Sequence, residues 1–146
     1  MAFFFSPSNT DSICIDGEDD MYVRHNENPN NANRGDCVIR AISLATGQTW
    51  DDTYVDLAVL GFGFKDMPSS NYVWSAYLKS KDFKVCAIPN TCPDCYTVID
   101  FCREHPTGTY ILATGTHVVT VIDGDYYDSW DSGMEVPVYY FEKRQN

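Results

Sequence analysis

The sequence predicts an α+β fold, with helices in the first half of the chain and an antiparallel sheet in the last third. Between residues 37 and 78, apolar side chains recur at the three- and four-residue spacing of helices with one buried face. After residue 108, short runs rich in β-branched and aromatic residues are typical of strands. Asp123-Gly124 separates two of these runs, and an Asp-Gly pair in that setting favours a two-residue hairpin turn.

Three helices are predicted in the first half of the chain. The first runs from about Cys37 to Thr46, with Asp36 as its expected N-cap, because a short carboxylate can accept the free amide N–H groups of a first turn. Gly47 is a suitable residue to end it. The second helix begins after a capping pattern at Thr49 and ends within residues 61–64, which are rich in glycine and phenylalanine. The third follows residues 67–70.

Strands and one short helix complete the predicted elements. The helix follows a second capping pattern at Thr97 and ends near His105, before Pro106 and Gly108. The predicted strands are residues 83–88, 109–113, 117–122, 125–130 and 136–141. Residues 1–30 are loosely specified, with short strands expected at 12–15 and 21–25, and the asparagine-rich residues 26–33 are expected to form a loop. No repeat or linker divides the chain, so residues 1–146 are predicted to be a single domain.

The charge of the chain disfavours two classes of partner. Its 146 residues carry a formal net charge of −11, which repels phosphate backbones and anionic lipid. We therefore expect neither nucleic acid nor a membrane as a partner. No apolar run approaches the ~20 residues of a membrane span. The apolar start, Met1–Phe5, has no basic residue before it and makes a poor signal peptide, so a cytoplasmic location is expected.

Cys37 is the candidate nucleophile. It occupies the first position of the first predicted helix, where the positive end of the helix dipole favours a thiolate over a thiol. A thiolate in such a position can attack a carbonyl carbon if a base lies nearby. The alternative is that Cys37 has only a structural role as a small buried hydrophobic residue, as most cysteines do.

His117 and Asp128 are the candidate base and orienting acid. With a turn at residues 123–124, His117 faces Trp130 on the opposite strand, and Asp128 is its diagonal neighbour on the same face. A carboxylate beside an imidazole fixes its tautomer and makes the free nitrogen more basic. Asp131 points to the other face in this register, but a slip of one residue would exchange the two roles, so it is the alternative acid.

These segments resemble the papain-like cysteine peptidase superfamily. Gly-Asp-Cys before an apolar helix, followed by Gly-Thr-His-Val-Val-Thr-Val-Ile-Asp-Gly-Asp-Tyr-Tyr-Asp-Ser-Trp, is similar to its small bacterial and phage branch, which includes peptidases of the bacteriocin-processing type. The resemblance covers about residues 25–142, and its specific parts are Cys37 and residues 117–130. It implies a papain-like fold, with the nucleophile helix packed on a C-terminal antiparallel sheet. It also implies a bacterial or phage-infected host cytoplasm.

The resemblance implies an activity and a set of site residues. Cys37 would be the nucleophile, His117 the base and Asp128 the orienting acid of an enzyme that cleaves protein or peptide amides through a thioester, without a cofactor. Members of the family usually carry a Gln or Asn before the cysteine that helps to bind the oxyanion. Asn31, six residues before the cysteine, is the favoured candidate, and Asn33 is the alternative.

Other functions remain open at the level of sequence. A deamidase or a transglutaminase would use the same acyl-transfer apparatus, and a host-interaction binding protein could keep the fold without activity. Cys92 and Cys95 form a single CxxC, which could act in redox chemistry or bind zinc together with Cys86 and Cys102. A structural zinc site usually pairs two such motifs, so zinc is the weaker hypothesis.

Overall fold

A computed structural model describes residues 21–145, which form four helices and one six-stranded mixed sheet. The helices are α1 (Cys37–Thr46), α2 (Trp50–Phe64), α3 (Asn71–Ser80) and α4 (Val98–Glu104). The strands are β1 (Tyr22–Arg24), β2 (Phe83–Ala87), β3 (Thr109–Ala113), β4 (Val118–Ile122), β5 (Asp125–Asp128) and β6 (Tyr139–Lys143). The predicted α+β class is confirmed, and the strand expected at 12–15 lies outside the described residues.

Side-chain caps start two of the helices as predicted. The Thr49 hydroxyl accepts a hydrogen bond from the Asp52 amide at the start of α2. Thr97 and Asp100 form a complete capping box at the start of α4. Asp36 precedes α1, but its side chain makes no cap hydrogen bond, so the expected capping role was wrong. Other side-chain donors hold this carboxylate instead, and they belong to the candidate site.

The sheet has the strand order β1-β5-β4-β3-β6-β2. The expected antiparallel pairing holds for β2 to β6, but the sheet is not purely antiparallel, and its two edge strands come from outside the C-terminal third of the chain. One edge is β1, which pairs parallel with β5, and the other is β2, which lies between α3 and α4 in the chain. Alternation of apolar and polar residues along a strand indicates which side chains share a face of the sheet. It does not indicate which strand is the neighbour or whether the pair is parallel.

The hairpin of β4 and β5 has the predicted register. Ile122 pairs with Asp125, and Val121 pairs with Tyr126. Both residues of the Asp123-Gly124 turn have positive φ, 50° and 86°, as a type I′ turn requires. A left-handed conformation suits glycine and tolerates aspartate, and the twist of this turn matches that of the two strands.

The segment between β5 and β6 leaves the sheet earlier than predicted. β5 ends at Asp128 rather than at residue 130, and β6 begins at Tyr139 rather than at 136. Between them, the carbonyls of Gly133 and Glu135 accept hydrogen bonds from the Ile99 and Val98 amides at the start of α4. The segment therefore accepts hydrogen bonds from amides of the first turn of α4, which have no partner within the helix, instead of extending the sheet.

Helices cover both faces of the sheet. The core between α1–α3 and one face includes Ile42, Leu57 and Trp74, each fully buried. The core between α4 and the other face includes Phe101 and Tyr126. The helix that begins with the candidate nucleophile is tied directly to the sheet, since the Thr120 hydroxyl donates a 2.8 Å hydrogen bond to the Ala41 carbonyl.

Two glycines of α2 give a matched test of its packing. A Cβ on Gly61 would lie 2.7 Å from the Asp66 carbonyl oxygen and 3.2 Å from the Pro68 nitrogen, whereas a Cβ on Gly63 would meet nothing within 4 Å. We expect Gly61→Ala to lower the free energy of unfolding by about 1–3 kcal/mol, because the backbone after α2 must shift. Gly63→Ala should raise it by about 0.5–1 kcal/mol through helix propensity. Urea denaturation of both variants measures the difference, and equal effects would contradict the close packing at Gly61.

Candidate active site

The structure brings Cys37, His117 and Asp128 together. Cys37 is the first residue of α1, and its half-buried thiol lies close enough to His117 and to the backbone of Val118 for both to lower its pKa. The imidazole Nε2 of His117 lies 2.5 Å from Oδ2 of Asp128. Because Nε2 is engaged by the carboxylate, Nδ1 is the ring nitrogen left for the sulfur. The three side chains thus form a continuous thiol–imidazole–carboxylate chain.

A short turn between β3 and β4 positions His117. The Thr114 hydroxyl accepts hydrogen bonds from the amides of Thr116, at 3.3 Å, and His117, at 3.0 Å. The amide of Thr114 in turn donates to the His117 carbonyl at 2.8 Å. The backbone that carries the imidazole is therefore fixed by the turn itself. Trp130 also packs against the imidazole, with its ring centroid 4.8 Å from that of His117.

Asp128 is buried and held by several donors besides His117. It is 5% exposed, and it accepts hydrogen bonds from the Ser132 hydroxyl at 2.6 Å and from the Ser129 amide at 2.8 Å. The guanidinium of Arg40, a residue of α1, lies 3.9 Å from Oδ1 of Asp128, the carboxylate oxygen that His117 does not contact. These contacts orient the carboxylate toward the imidazole.

Asp131, the alternative acid, has other partners. Its carboxylate accepts hydrogen bonds from the Tyr126 hydroxyl and from the Gly133 amide, 3.1 Å away. It makes no described contact with His117. The register of the hairpin therefore places Asp128, and not Asp131, beside the imidazole of His117.

A buried charged network lies beneath the start of α1. Arg40 forms an ion pair with Asp36, and both residues are less than a tenth exposed. The Asp36 carboxylate also accepts hydrogen bonds from the Asn28 amide and the Trp50 indole, each at 2.9 Å. Burial raises the pKa of Asp36, but these hydrogen bonds and the Arg40 charge hold the pKa below its usual value.

The electrostatics favour a charged pair at the reacting centre. Burial raises the pKa of Cys37, but its hydrogen bond to His117 and the nearby positive charge bring the pKa below the ordinary value of a thiol. Burial lowers the pKa of His117, but hydrogen bonds to Asp128 and Cys37 raise it to about 9. Both shifts favour transfer of the thiol proton to the imidazole, which gives a thiolate and an imidazolium, the reactive form of a cysteine nucleophile.

The reactive pair opens onto a cleft. Cys37 and His117 both line a cavity of about 260 Å³, whose other walls include Gly35, Trp74 and Gly115. The backbone N–H of Cys37 is at the first position of a helix, where it has no partner within the helix and is free to bind an oxyanion. A carbonyl group in this cleft could thus meet both the sulfur and an N–H donor.

The structure does not bring the predicted oxyanion residue into this cleft. Asn31 is exposed and lines a separate cavity, with Arg24, His25 and Asn33. The side-chain oxygen of Asn33 accepts a 3.3 Å hydrogen bond from Arg40. No described contact joins either asparagine to the thiol, so their role as oxyanion donors stays a prediction.

Sequence reasoning missed the supporting residues Arg40, Thr114 and Ser132. The signal for Arg40 was present, since an arginine four residues after an aspartate on a helix predicts an ion pair. Its contact with Asp128 could not be read in this way, because those residues lie 88 positions apart. Hydroxyls such as those of Thr114 and Ser132 are common in loops and carry no local signal of their partners.

The four other cysteines within the described residues do not assemble a metal site. Among residues 21–145, no group of three or more His, Cys, Asp or Glu side chains is placed to hold a metal ion. Cys102 is a buried residue of α4, and burial raises its pKa to about 12. Cys92 and Cys95 are exposed in the loop before that helix. The zinc hypothesis therefore has no support from the described part of the chain.

Two further findings bear on identity. Within the described range, the structure contains no helix with the length and apolar character that crossing a bilayer requires. Comparison of the chain with protein-family models, with curated proteins and with solved structures gave no match. The geometry of the site therefore carries the functional conclusion by itself.

Proposed function

We propose that this protein is a cysteine-dependent amide hydrolase, a peptidase with a papain-like fold. The observation that carries the proposal is the chain from the Cys37 thiol through His117 to Asp128, with the thiol and imidazole lining an open cleft. A buried structural cysteine needs neither a lowered pKa nor a carboxylate-bound imidazole beside it. The combination is typical of an activated nucleophile.

The placement of the three residues supports the papain-like assignment. The nucleophile begins a helix that packs on the sheet, the histidine leads into a strand, and the acid ends the next strand. Both halves of the molecule thus line the cleft, the sheet half through Ala113–Val118 and the helical half through Gly35, Cys37 and Val38.

In the first half of the proposed reaction, the Cys37 thiolate attacks the carbonyl carbon of an amide. The carbonyl π electrons move to oxygen, and the Cys37 backbone N–H stabilises the resulting oxyanion. When the tetrahedral intermediate collapses, the carbon–nitrogen bond breaks. The His117 imidazolium donates its Nδ1 proton to the departing nitrogen, which leaves as a neutral amine. A thioester on Cys37 remains.

In the second half, His117 removes a proton from water as the water oxygen attacks the thioester. The carbon–sulfur bond then breaks, the acid product leaves, and the thiolate–imidazolium pair is restored. Asp128 keeps the ring oriented and stabilises its charge in both halves. A primary amine in place of water would give transglutamination, and attack on a side-chain amide would give deamidation. Hydrolysis of a main-chain amide is the form we propose.

Mass spectrometry tests the proposal directly. The protein is incubated with a tryptic digest of a denatured proteome, and new peptide termini are counted against the matched Cys37→Ser variant. Hydrolysis adds a water across a cleaved bond, deamidation adds about 1 Da to a glutamine without cleavage, and amine transfer removes ammonia. We expect cleavage that depends on Cys37 and a bell-shaped pH profile, with its upper limb near 9, where the His117 imidazolium loses its proton.

The lower limb of the profile should lie below the ordinary titration range of a thiol, because the pKa of Cys37 is lowered. Asp128→Asn is the informative variant, since it keeps the size of the side chain but removes the charge that raises the pKa of His117. Its upper limb should move toward neutral pH. If neither cleavage nor a covalent adduct on Cys37 forms with an activated ester, the chain is a binding protein rather than an enzyme.

A further inference from the structure

The cleft that holds Cys37 and His117 is also lined by Asn71, the first residue of α3. Among the described residues that line this cleft, none is a lysine or an arginine, and Asn71 carries the only side-chain amide. The residue is exposed, so a molecule that enters the cleft can reach it. An amide N–H₂ group is a neutral donor that suits the carbonyl oxygen of an amide substrate.

The Asn71 amide is held in one orientation by Trp74. The indole N–H of Trp74 donates a 3.0 Å hydrogen bond to Oδ1 of Asn71. Because an indole N–H can only donate, the atom that faces it is the amide oxygen, and the N–H₂ group is the other end. Trp74 is itself fully buried and packs on Tyr139 and Phe141, with ring centroids 6.1 and 5.3 Å away. The group that anchors the amide is therefore part of the core.

The N–H₂ group of Asn71 has no partner within the protein. It donates no hydrogen bond to any of residues 21–145. The hydroxyls of the cleft differ from it, because that of Thr114 is engaged in the turn before His117, whereas those of Ser69 and Thr116 make no described hydrogen bond that would fix their direction. A donor that is already oriented stabilises developing charge better than one that rotates freely, since it needs no reorganisation.

We infer that Asn71 donates a hydrogen bond from Nδ2 to a carbonyl oxygen of the substrate, beside the backbone N–H of Cys37. The inference rests on the proposed function, since it adds a residue to the same acyl-transfer site. Unlike Asn31, which lines a separate cavity, Asn71 shares its cleft with the sulfur. The carbonyl is either the one that the thiolate attacks, whose oxygen becomes an oxyanion, or that of a neighbouring peptide unit.

Two substitutions of Asn71 have the loss of this donor in common. Asn71→Asp keeps an oxygen for the Trp74 indole, but it lacks the N–H₂ group and adds a negative charge. Asn71→Ala adds no charge, but it leaves the indole N–H without its acceptor. A residue that only held Trp74 would tolerate aspartate, and an effect of charge on the Cys37 thiolate would be absent with alanine. Loss of activity in both variants therefore indicates the donor.

Initial rates are measured with p-nitrophenyl acetate, whose only carbonyl is the reacting one, and with a peptide that the native protein cleaves in the proteome digest. Cys37→Ser gives the background rate. We expect both Asn71 variants to lower kcat/KM by about tenfold or more. Loss with both probes assigns Asn71 to the reacting carbonyl, and loss with the peptide alone assigns it to a neighbouring one.

The matched control is Asn90→Asp, which should keep the native kcat/KM. Asn90 is an exposed asparagine outside the cleft, and its side-chain oxygen accepts the Cys92 amide, so the control makes the same chemical change elsewhere. Urea denaturation of Asn71→Ala and iodoacetamide alkylation of Cys37 in Asn71→Asp are measured alongside.

Native kcat/KM with both probes in either Asn71 variant would overturn the inference and leave the proposed function standing. So would losses that are fully accounted for by unfolding of the alanine variant or by slower alkylation of Cys37 in the aspartate variant. A native chain that reacts no faster than Cys37→Ser with either probe would instead overturn the proposed function, and this inference with it.

Discussion

Replacing His117 with alanine is expected to slow alkylation of Cys37 by iodoacetamide at pH 6 by at least about tenfold. In the native chain the imidazolium hydrogen-bonds the sulfur and places a positive charge beside it, and both effects hold the pKa of the thiol down. Without the ring, burial still raises that pKa and its main opposing contributions are lost, so a smaller fraction of the thiol is ionised at pH 6. Mass mapping of the alkylated cysteines over time gives the rate at each site.

Cys92 and Cys95 serve as internal references, because both are exposed and lie in a loop distant in sequence from the site. The control variant is His105→Ala, which removes a histidine that stacks on Phe101 and contacts neither Cys37 nor Asp128. Its Cys37 rate should match that of the native chain. Should Cys37 react no faster than the two reference thiols in the native protein, the nucleophile assignment fails.

Arg40→Met is expected to lower the free energy of unfolding by about 3–5 kcal/mol. The guanidinium is 7% exposed, and it compensates Asp36 and Asp128, which are 8% and 5% exposed. Methionine preserves the length of the side chain but leaves the Asp36 carboxylate buried without its cation and removes a positive charge from beside Asp128, which keeps His117. Removing one partner of a buried pair costs more than the pair contributed. Urea denaturation followed by circular dichroism measures the change.

Two matched variants sharpen this test. Lys84→Met removes an exposed cation from β2 and should change stability by less than about 0.5 kcal/mol. Adding Asp36→Asn to Arg40→Met should recover part of the loss, because the substitution neutralises one of the stranded charges. If Arg40→Met lowers the free energy of unfolding by less than about 1 kcal/mol, or if the double variant recovers none of the loss, then Arg40 does not compensate the buried negative charge.

Local patterns predicted the parts of the site that lie within one element or one hairpin. The helix from Cys37 to Thr46 follows from its apolar spacing and from Gly47, which adopts the left-handed conformation expected at a helix end. The contact between His117 and Asp128 follows from the type I′ turn, because that turn fixes which residues of the two strands face each other.

Contacts between distant parts of the chain escaped prediction. β1 pairs parallel with β5 across about a hundred residues, and nothing within Tyr22–Arg24 records that partner. Asp36 was expected to cap α1, but its carboxylate is instead held by the side chains of Asn28, Trp50 and Arg40. Such competition among donors is decided by the tertiary structure, which no short window of sequence contains.

The buried network beneath α1 also constrains how this protein can change over generations. Asp128 is both the partner of the imidazole and a member of the charged cluster that the fold needs, so substitutions there cost stability as well as chemistry. Cys37 and His117 stand outside the ion pair of Arg40 with Asp36. A lineage that abandoned the proposed catalysis would therefore lose its sulfur first, and would retain the aspartates and the arginine long afterwards.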